Sequence, residues 1–194
     1  LRLSAFPYMS VSAVSDISFN DIPKVDREPV IRPFETEHRM FSAPKEKLPE
    51  LDSENLAWLR EVWKSTAELM KSDVRFQQAF RAFDSVSAQG RISSSLLSVW
   101  GAIEHLFSPN TGELRYRVSA NMATFLTDRG PDQLKLFKEL SALYADRSTA
   151  AHTAKDIEHS PLVSSYVHLR NALVKIVDRG KVPTQGELEE MLFL

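Results

Sequence analysis

From residue 51 onward, apolar side chains recur at steps of three and four positions, which is the period of an amphipathic α-helix. Each recurring set predicts one helix that turns an apolar face toward a shared core. Five such sets are Leu56, Leu59, Trp63, Ala67 and Met70; Phe76, Phe80 and Phe83; Leu96, Trp100, Ile103 and Phe107; Leu136, Leu140, Leu143 and Tyr144; and Leu162, Tyr166, Leu169, Leu173 and Ile176. The pattern predicts an all-α bundle over residues 51–194.

Residues that break or cap helices separate these sets. A break near Ser72 divides the first helix from the second, and residues 108–110 end the third. A fourth helix is expected from Leu114 to about Thr127, and Pro131 suits the first turn of the fifth. Further boundaries are predicted at Ser160 and Pro161 for the start of the sixth helix, at Gly180 for its end, and at a capping box of Thr184 and Glu187 before a short seventh helix.

The first 50 residues differ in composition from the rest of the chain. They contain six of the ten prolines and none of the six glycines, and the prolines prevent a continuous helix. The patches 10–14 and 30–32 have the character of short strands. We therefore expect residues 1–50 to form an irregular or partly β extension, or the tail of a preceding domain. Because the chain opens on Leu1 rather than Met, we also expect a part upstream of it.

Composition narrows the functional classes. With 194 residues, 43% of them hydrophobic, the chain can bury a sizeable core in one domain plus an extension. A net charge of −2 argues against tight nonspecific binding to long duplexes, although a small site needs only local positive charge. The absence of cysteine removes disulfides and thiol chemistry and fits a cytoplasmic setting. No apolar run of about 18 residues and no signal peptide is found, so we expect no membrane span.

The pair Arg147 and His152 carries the most informative chemistry. Arginine offers a permanent planar cation that matches a phosphate, and the unperturbed pKa of histidine suits proton transfer near neutral pH. With no cluster of metal ligands nearby, these two groups suffice for metal-free cleavage of a phosphodiester. In a straight helix, however, five residues turn the side chain by roughly 140°. The two residues converge only if the helix breaks or bends between them, or if two copies of the chain pool their residues.

Three ordered blocks accompany this Arg-x4-His spacing. They read Trp-Gly-Ala-Ile-Glu-His-Leu-Phe at 100–107, Gly-Glu-Leu-Arg-Tyr-Arg-Val-Ser at 112–119 and Tyr-Ala-Asp-Arg-Ser at 144–148. Together the blocks and the spacing resemble the HEPN superfamily, helical bundles of which many are RNases, and within it the Apea-like branch. The resemblance covers about residues 55–180. Apea-like proteins carry a separate N-terminal domain, so the resemblance also implies a sensor domain upstream in the full-length chain.

The resemblance implies a metal-independent endoribonuclease that cleaves single-stranded RNA and uses no cofactor. In such a site His152 would move a proton at the ribose 2′-hydroxyl or the leaving oxygen, and Arg147 would stabilise the charge of a phosphorane-like transition state. HEPN nucleases commonly place the motifs of a symmetric homodimer face to face, and Apea-like domains are associated with defence against phage. Many active members have Asn, Asp or His directly after the arginine, where this chain has Ser148.

Three residues are candidates for supporting the pair. Glu104 lies on the edge of an apolar stripe, where it can hold Arg147 or orient His152; the alternative is a solvated glutamate on a helix face. Tyr144 precedes Arg147 by three positions, and Ser148 follows it directly. We expect all three at the site.

Two further arginines are candidates for contacts with RNA. Arg115 and Arg117 flank Tyr116 at the start of the fourth predicted helix. Their cations can contact phosphates while the tyrosine ring stacks a base. The alternative is that both are ordinary charged residues on a helix surface.

Two other functions stay open. One is a catalytically silent helical module that dimerises or senses a ligand for an attached domain, in which Arg147 and His152 are separately buried or paired within the bundle. The other is a nucleotide-binding HEPN domain that serves a nucleotidyltransferase partner. A metal site and P-loop chemistry are not indicated, because the chain has neither an HExxH pattern nor a phosphate-binding glycine loop.

Overall fold

The computed structural model describes residues 13–33, 52–86, 89, 91–108, 114–152 and 158–193. This part of the chain is all-α apart from a short two-stranded sheet, as predicted. Its helices are α1 (Ser53–Ser72), α2 (Val74–Ser85), α3 (Ile92–Phe107), α4 (Leu114–Leu126), α5 (Pro131–His152), α6 (His159–Arg179) and α7 (Gln185–Phe193). Its strands are β1 (Ala13–Ser15) and β2 (Ile31–Pro33), with a 3-10 helix at Ile22–Lys24. None of the described helices is long and apolar enough to cross a membrane.

The described N-terminal residues form a β-hairpin. Strands β1 and β2 are antiparallel, and Val14 pairs with Arg32 at the middle of the ladder. The Asp16 carboxylate, directly after β1, accepts a hydrogen bond from the backbone N–H of Val30 at 3.0 Å. These contacts confirm a partly β segment in this region. Residues 10–12 of the first predicted patch lie outside the described residues.

Helix α3 lies at the centre of the helical part. Eight of its sixteen residues are buried, and it packs against α2, α4, α5 and α6. All four residues predicted to face inward from this helix have no exposed surface: Leu96, Trp100, Ile103 and Phe107. The indole Nε1 of Trp100 donates a hydrogen bond to Ser165 Oγ on α6 at 3.0 Å. The buried indole therefore has its polar atom satisfied, which fixes α3 against α6.

Local capping explains where several helices end. Asp73 stands between α1 and α2, and its side chain accepts hydrogen bonds from two N–H groups in the first turn of α2. Gly180 adopts a φ of 67°, the left-handed conformation that ends α6 as predicted. Thr184 N donates to Glu187 Oε2 at 2.9 Å, and Glu187 N donates to Thr184 Oγ1 at 3.2 Å. The predicted capping box is therefore confirmed.

The predicted start of the sixth helix was wrong by two residues. Helix α6 begins at His159 and its N-cap residue is Glu158, which makes no side-chain capping hydrogen bond. Ser160 and Pro161 consequently lie within the first turn rather than at the cap. A proline is tolerated there because the first N–H groups of a helix have no partner within the helix.

The predicted inward face of α1 was also wrong. Its buried residues are Val62 and Leu69, with exposed fractions of 8% and 5%. Leu56 and Trp63, which belong to the predicted stripe, are 40% and 71% exposed. The helix is therefore rotated so that part of the apolar stripe faces solvent.

The rotation of α1 follows from its place at the edge of the bundle. The helix packs mainly against α2 and α6, so a narrow line of side chains suffices to hold it. Trp58 Nε1 donates a hydrogen bond to Asp178 Oδ1 of α6 at 2.7 Å, which orients that line toward the partner helix. Periodicity alone does not indicate which of two overlapping apolar lines faces inward.

Matched leucine substitutions on α1 test this rotation. We expect Leu69→Ala to lower the free energy of unfolding by about 2–5 kcal/mol, because it leaves a cavity in the core. Leu56→Ala should change it by only about 0.5 kcal/mol, since that side chain is well exposed. Urea denaturation of both variants measures the difference. Equal losses, or a larger loss for Leu56→Ala, would show that the helix is rotated the other way.

Candidate functional site

The relation of Arg147 to His152 is set by α5. This helix runs without interruption from Pro131 to His152, so both residues belong to one continuous helix. The five-residue step separates them by roughly 140° around the axis and roughly 7.5 Å along it. His152 is exposed at the last position of the helix. The described residues therefore show no break that would bring the two side chains together within one chain.

Arg147 is paired with Glu104 of α3. Arg147 Nη2 lies 3.1 Å from Glu104 Oε1 and donates a hydrogen bond to Oε2 at 3.4 Å. The two side chains are only 25% and 18% exposed, so the pair lies at the margin of the core. The guanidinium carbon is also 5.4 Å from the centre of the Tyr144 ring, within cation–π range. Glu104 is therefore a partner of Arg147 and not a solvated glutamate.

Tyr144 supports the pair from the side of the core. Its ring meets the buried indole of Trp100 edge to face, with ring centres 5.2 Å apart. Burial raises the pKa of the Tyr144 hydroxyl, and a hydrogen bond and the negative charge of Glu104 raise it further. The hydroxyl therefore stays protonated at neutral pH and can donate to the carboxylate. Glu104 is thus held by a cation and a phenol.

The ion pair does not satisfy all of its own polar atoms. Among the described residues, the buried Arg147 Nε makes no hydrogen bond, and the buried Glu104 Oε1 has the 3.1 Å ion-pair contact with Arg147 Nη2 but no contact with hydrogen-bond geometry. Buried polar groups are normally hydrogen-bonded, so the Arg147 Nε–H is unusual in having no acceptor among the described residues.

Small residues lie between Arg147 and His152. Ser148 is half-buried, Ala150 is 8% exposed and Ala151 is exposed. Ala150 therefore belongs to the bundle, whereas Ala151 and His152 lie at its surface.

Arg115 and Arg117 lie on different sides of α4. Arg115 lines an open cavity together with Tyr116, Phe137 and Ser141, between α4 and α5. Arg117 is exposed, and a two-residue step places it roughly 200° around the helix from Arg115. Of the two arginines predicted to contact RNA, only Arg115 lines this cavity. Neither arginine lies in the Arg147–Glu104 pair.

Two members of these arrangements were not identified from the sequence as functional. Trp100 was predicted only as a core residue, yet its indole ring packs edge to face against the Tyr144 ring. Phe137 was not predicted at all, although it packs against Tyr116 with ring centres 5.5 Å apart. The available signal was the spacing of Leu134, Phe137 and Ser141, which places them on one face of α5.

Within the described ranges, no three His, Asp or Glu side chains are grouped so that they could hold a metal ion. Comparison with models of protein families, with curated proteins and with solved structures gave no match. The relationship to HEPN domains stays an expectation from the sequence blocks.

The stability of the Arg147–Glu104 pair can be measured directly. We expect Glu104→Ala to lower the free energy of unfolding by about 1–3 kcal/mol, because a mostly buried cation loses its counter-ion. Glu61→Ala, which removes an exposed glutamate of α1, is the control and should change it by about 0.5 kcal/mol at most. A double-mutant cycle with Arg147→Ala isolates the coupling. A coupling energy of zero would mean that the pair is not formed in solution.

Proposed function

We propose that the protein is a metal-independent endoribonuclease of the HEPN type that cleaves single-stranded RNA at a site pooled from two copies of the chain. The observation that carries the proposal is the arrangement on α5. A partly buried arginine held by Glu104 and an exposed histidine lie on one continuous helix and face different sides. Two copies related by a two-fold axis would bring the arginine of one close to the histidine of the other.

Each residue has one chemical role in this proposal. His152 accepts the proton of the ribose 2′-hydroxyl, and the 2′-oxygen then attacks the adjacent phosphorus. The bond between phosphorus and the 5′-oxygen breaks, and a proton is returned to that oxygen. The products are a 2′,3′-cyclic phosphate and a 5′-hydroxyl, and no metal or external oxidant takes part. Arg147 donates hydrogen bonds to the non-bridging oxygens as negative charge grows on them.

Glu104 has two opposing effects on this reaction. It fixes the guanidinium, which reduces the entropy lost when RNA binds. It also neutralises the cation, so the phosphate must share Arg147 with a carboxylate. The Tyr144 hydroxyl reduces this competition, because its hydrogen bond to Glu104 stabilises part of the negative charge on the carboxylate.

A catalytically silent module is the second candidate, and one observation favours it. Arg147 is paired within the bundle, as a purely structural arginine would be. In that case the same two-fold surface would serve dimerisation or ligand sensing for an attached domain. Under the nuclease proposal, by contrast, the resemblance to Apea-like domains suggests a role in defence against phage.

Substitutions of the two residues separate these candidates. We expect His152→Ala and Arg147→Ala each to reduce cleavage of single-stranded RNA by at least about a hundredfold, through loss of proton transfer and of charge stabilisation respectively. His152→Ala should leave thermal stability nearly unchanged because its side chain is exposed. A gel-based cleavage assay with and without EDTA is the measurement, and EDTA should have no effect. His159→Ala, at the start of α6, serves as the histidine control.

Activity that disappears with EDTA, or that survives His152→Ala, would contradict the mechanism. A wild-type protein that cleaves no RNA while forming a dimer would favour the silent module.

A further inference from the structure

The cleft between α4 and α5 contains features that the cleavage chemistry does not use. We call it the α4–α5 cleft and define it by Tyr116, Thr124, Gln133, Leu134, Phe137 and Leu192. Its volume is about 220 Å³. Pockets for drug-sized ligands and cofactors occupy roughly 300–1,000 Å³, so this cleft suits a single flat ring system better than a whole dinucleotide.

The aromatic wall of the cleft has an open face. The Tyr116 and Phe137 rings meet at 72°, with their centres 5.5 Å apart, so the edge of one ring contacts the other. Tyr116 is 58% exposed, so much of its side chain is open to solvent. A planar base can stack on the free ring face without displacing any core residue.

The floor of the cleft carries a fixed polar group. Gln133 Nε2 donates a hydrogen bond to Thr124 Oγ1 at 2.7 Å, which sets the orientation of the amide. An amide has two N–H donors and one carbonyl acceptor, and this bond uses one donor. The remaining donor and acceptor can pair with the edge of a base. The cleft thus combines a stacking surface with a hydrogen-bonding edge.

A cation lies at one end of the cleft. A second cavity of about 650 Å³ shares Tyr116 and Phe137 with it and adds Leu114, Arg115 and Ser141. Arg115 is exposed there. Contacts between arginine and phosphate hold nucleic-acid backbones, whereas base edges are read by groups such as the amide of Gln133. A base that stacked on Tyr116 would therefore have its phosphate on the side of Arg115.

The cation-bearing end of the cleft points toward His152 along α5. From Ser141 to His152 the helix advances eleven residues, which is roughly 16.5 Å and returns the side chain to within roughly 20° of the same direction. Ala145 and Ser148 lie between them at four- and three-residue steps, so a strip of small side chains connects the two.

From this geometry we infer that the α4–α5 cleft binds one base of the single-stranded RNA at a fixed distance from the bond that is cut. The inference rests on the proposed function for the identity of its ligand. Tyr116 stacks the base, Gln133 reads its edge and Arg115 holds the adjoining phosphate. The cleft would then decide where along the RNA the cut falls, while Arg147 and His152 perform it.

Binding of a dye-labelled single-stranded RNA of about 12 nucleotides tests the inference. Fluorescence anisotropy is measured in the His152→Ala background, so that the RNA stays intact. We expect Tyr116→Ala and Arg115→Ala each to raise the Kd about tenfold, and Tyr116→Trp to restore binding because it keeps a stacking face. Trp63→Ala and Arg81→Ala, which remove an exposed aromatic and an exposed arginine elsewhere, are the matched controls and should not change the Kd.

An RNA that lacks one base provides the decisive comparison. Removal of the base that occupies the cleft should weaken binding by the same factor as Tyr116→Ala, and the two changes together should weaken it no further. Cleavage of RNA whose KM is unaffected by Tyr116→Ala would overturn the inference and leave the nuclease proposal intact. Binding that depends on Tyr116 without any cleavage by wild type would support the cleft and refute the nuclease. Free nucleoside monophosphates that bind as tightly as the RNA would also overturn it.

Discussion

Because α5 runs unbroken from Pro131 to His152, its side chains are distributed around one axis by the helix period alone. One side carries Leu140 and Tyr144 into the core. The same side presents Arg147, seven residues after Leu140, to Glu104 of α3. Another side carries Phe137 and Ser141 beside α4 and continues to the exposed His152. This one helix therefore stabilises the bundle and carries both Arg147 and His152, but it keeps those two side chains apart.

The ion pair beside Tyr144 shows how a charge can be kept at the edge of an apolar core. A lone guanidinium there would be costly, and Glu104 reduces the cost with a partner that is itself held by a buried phenol. The arrangement is as consistent with a structural arginine as with a catalytic one, because both need a fixed guanidinium. What distinguishes them is the second polar group: a structural pair needs no histidine from another chain, whereas the proposed pooled site does.

Much of the fold could be predicted from the sequence, and the exceptions have physical causes. The stripe of α3 was predicted correctly because a central helix buries every residue of its apolar set, from Leu96 to Phe107. The stripe of α1 was not, because an edge helix needs only Val62 and Leu69 inside, and the bond from Trp58 to α6 chooses the rotation. Such a choice depends on neighbours that are distant in sequence. The start of α6 differed from the prediction because Glu158 provides a cap position without a side-chain hydrogen bond.

The candidate site was predictable to a similar extent. Glu104 was predicted as a candidate partner of Arg147, and the two side chains form an ion pair at the margin of the core. The cleft was not predicted, since Phe137 meets Tyr116 only after α4 and α5 pack together. The relation between Arg147 and His152 in an assembly depends on a second chain, which no pattern within one chain specifies.

The most direct test of a pooled site is a heterodimer in which one copy carries Arg147→Ala and the other carries His152→Ala. Two different affinity tags allow it to be isolated from the parent homodimers. If each site takes its arginine from one copy and its histidine from the other, the heterodimer retains one intact site and should cleave single-stranded RNA at roughly half the wild-type rate, while both homodimers are inactive. A heterodimer as inactive as its parents, beside a wild type that cleaves, would contradict the pooled site.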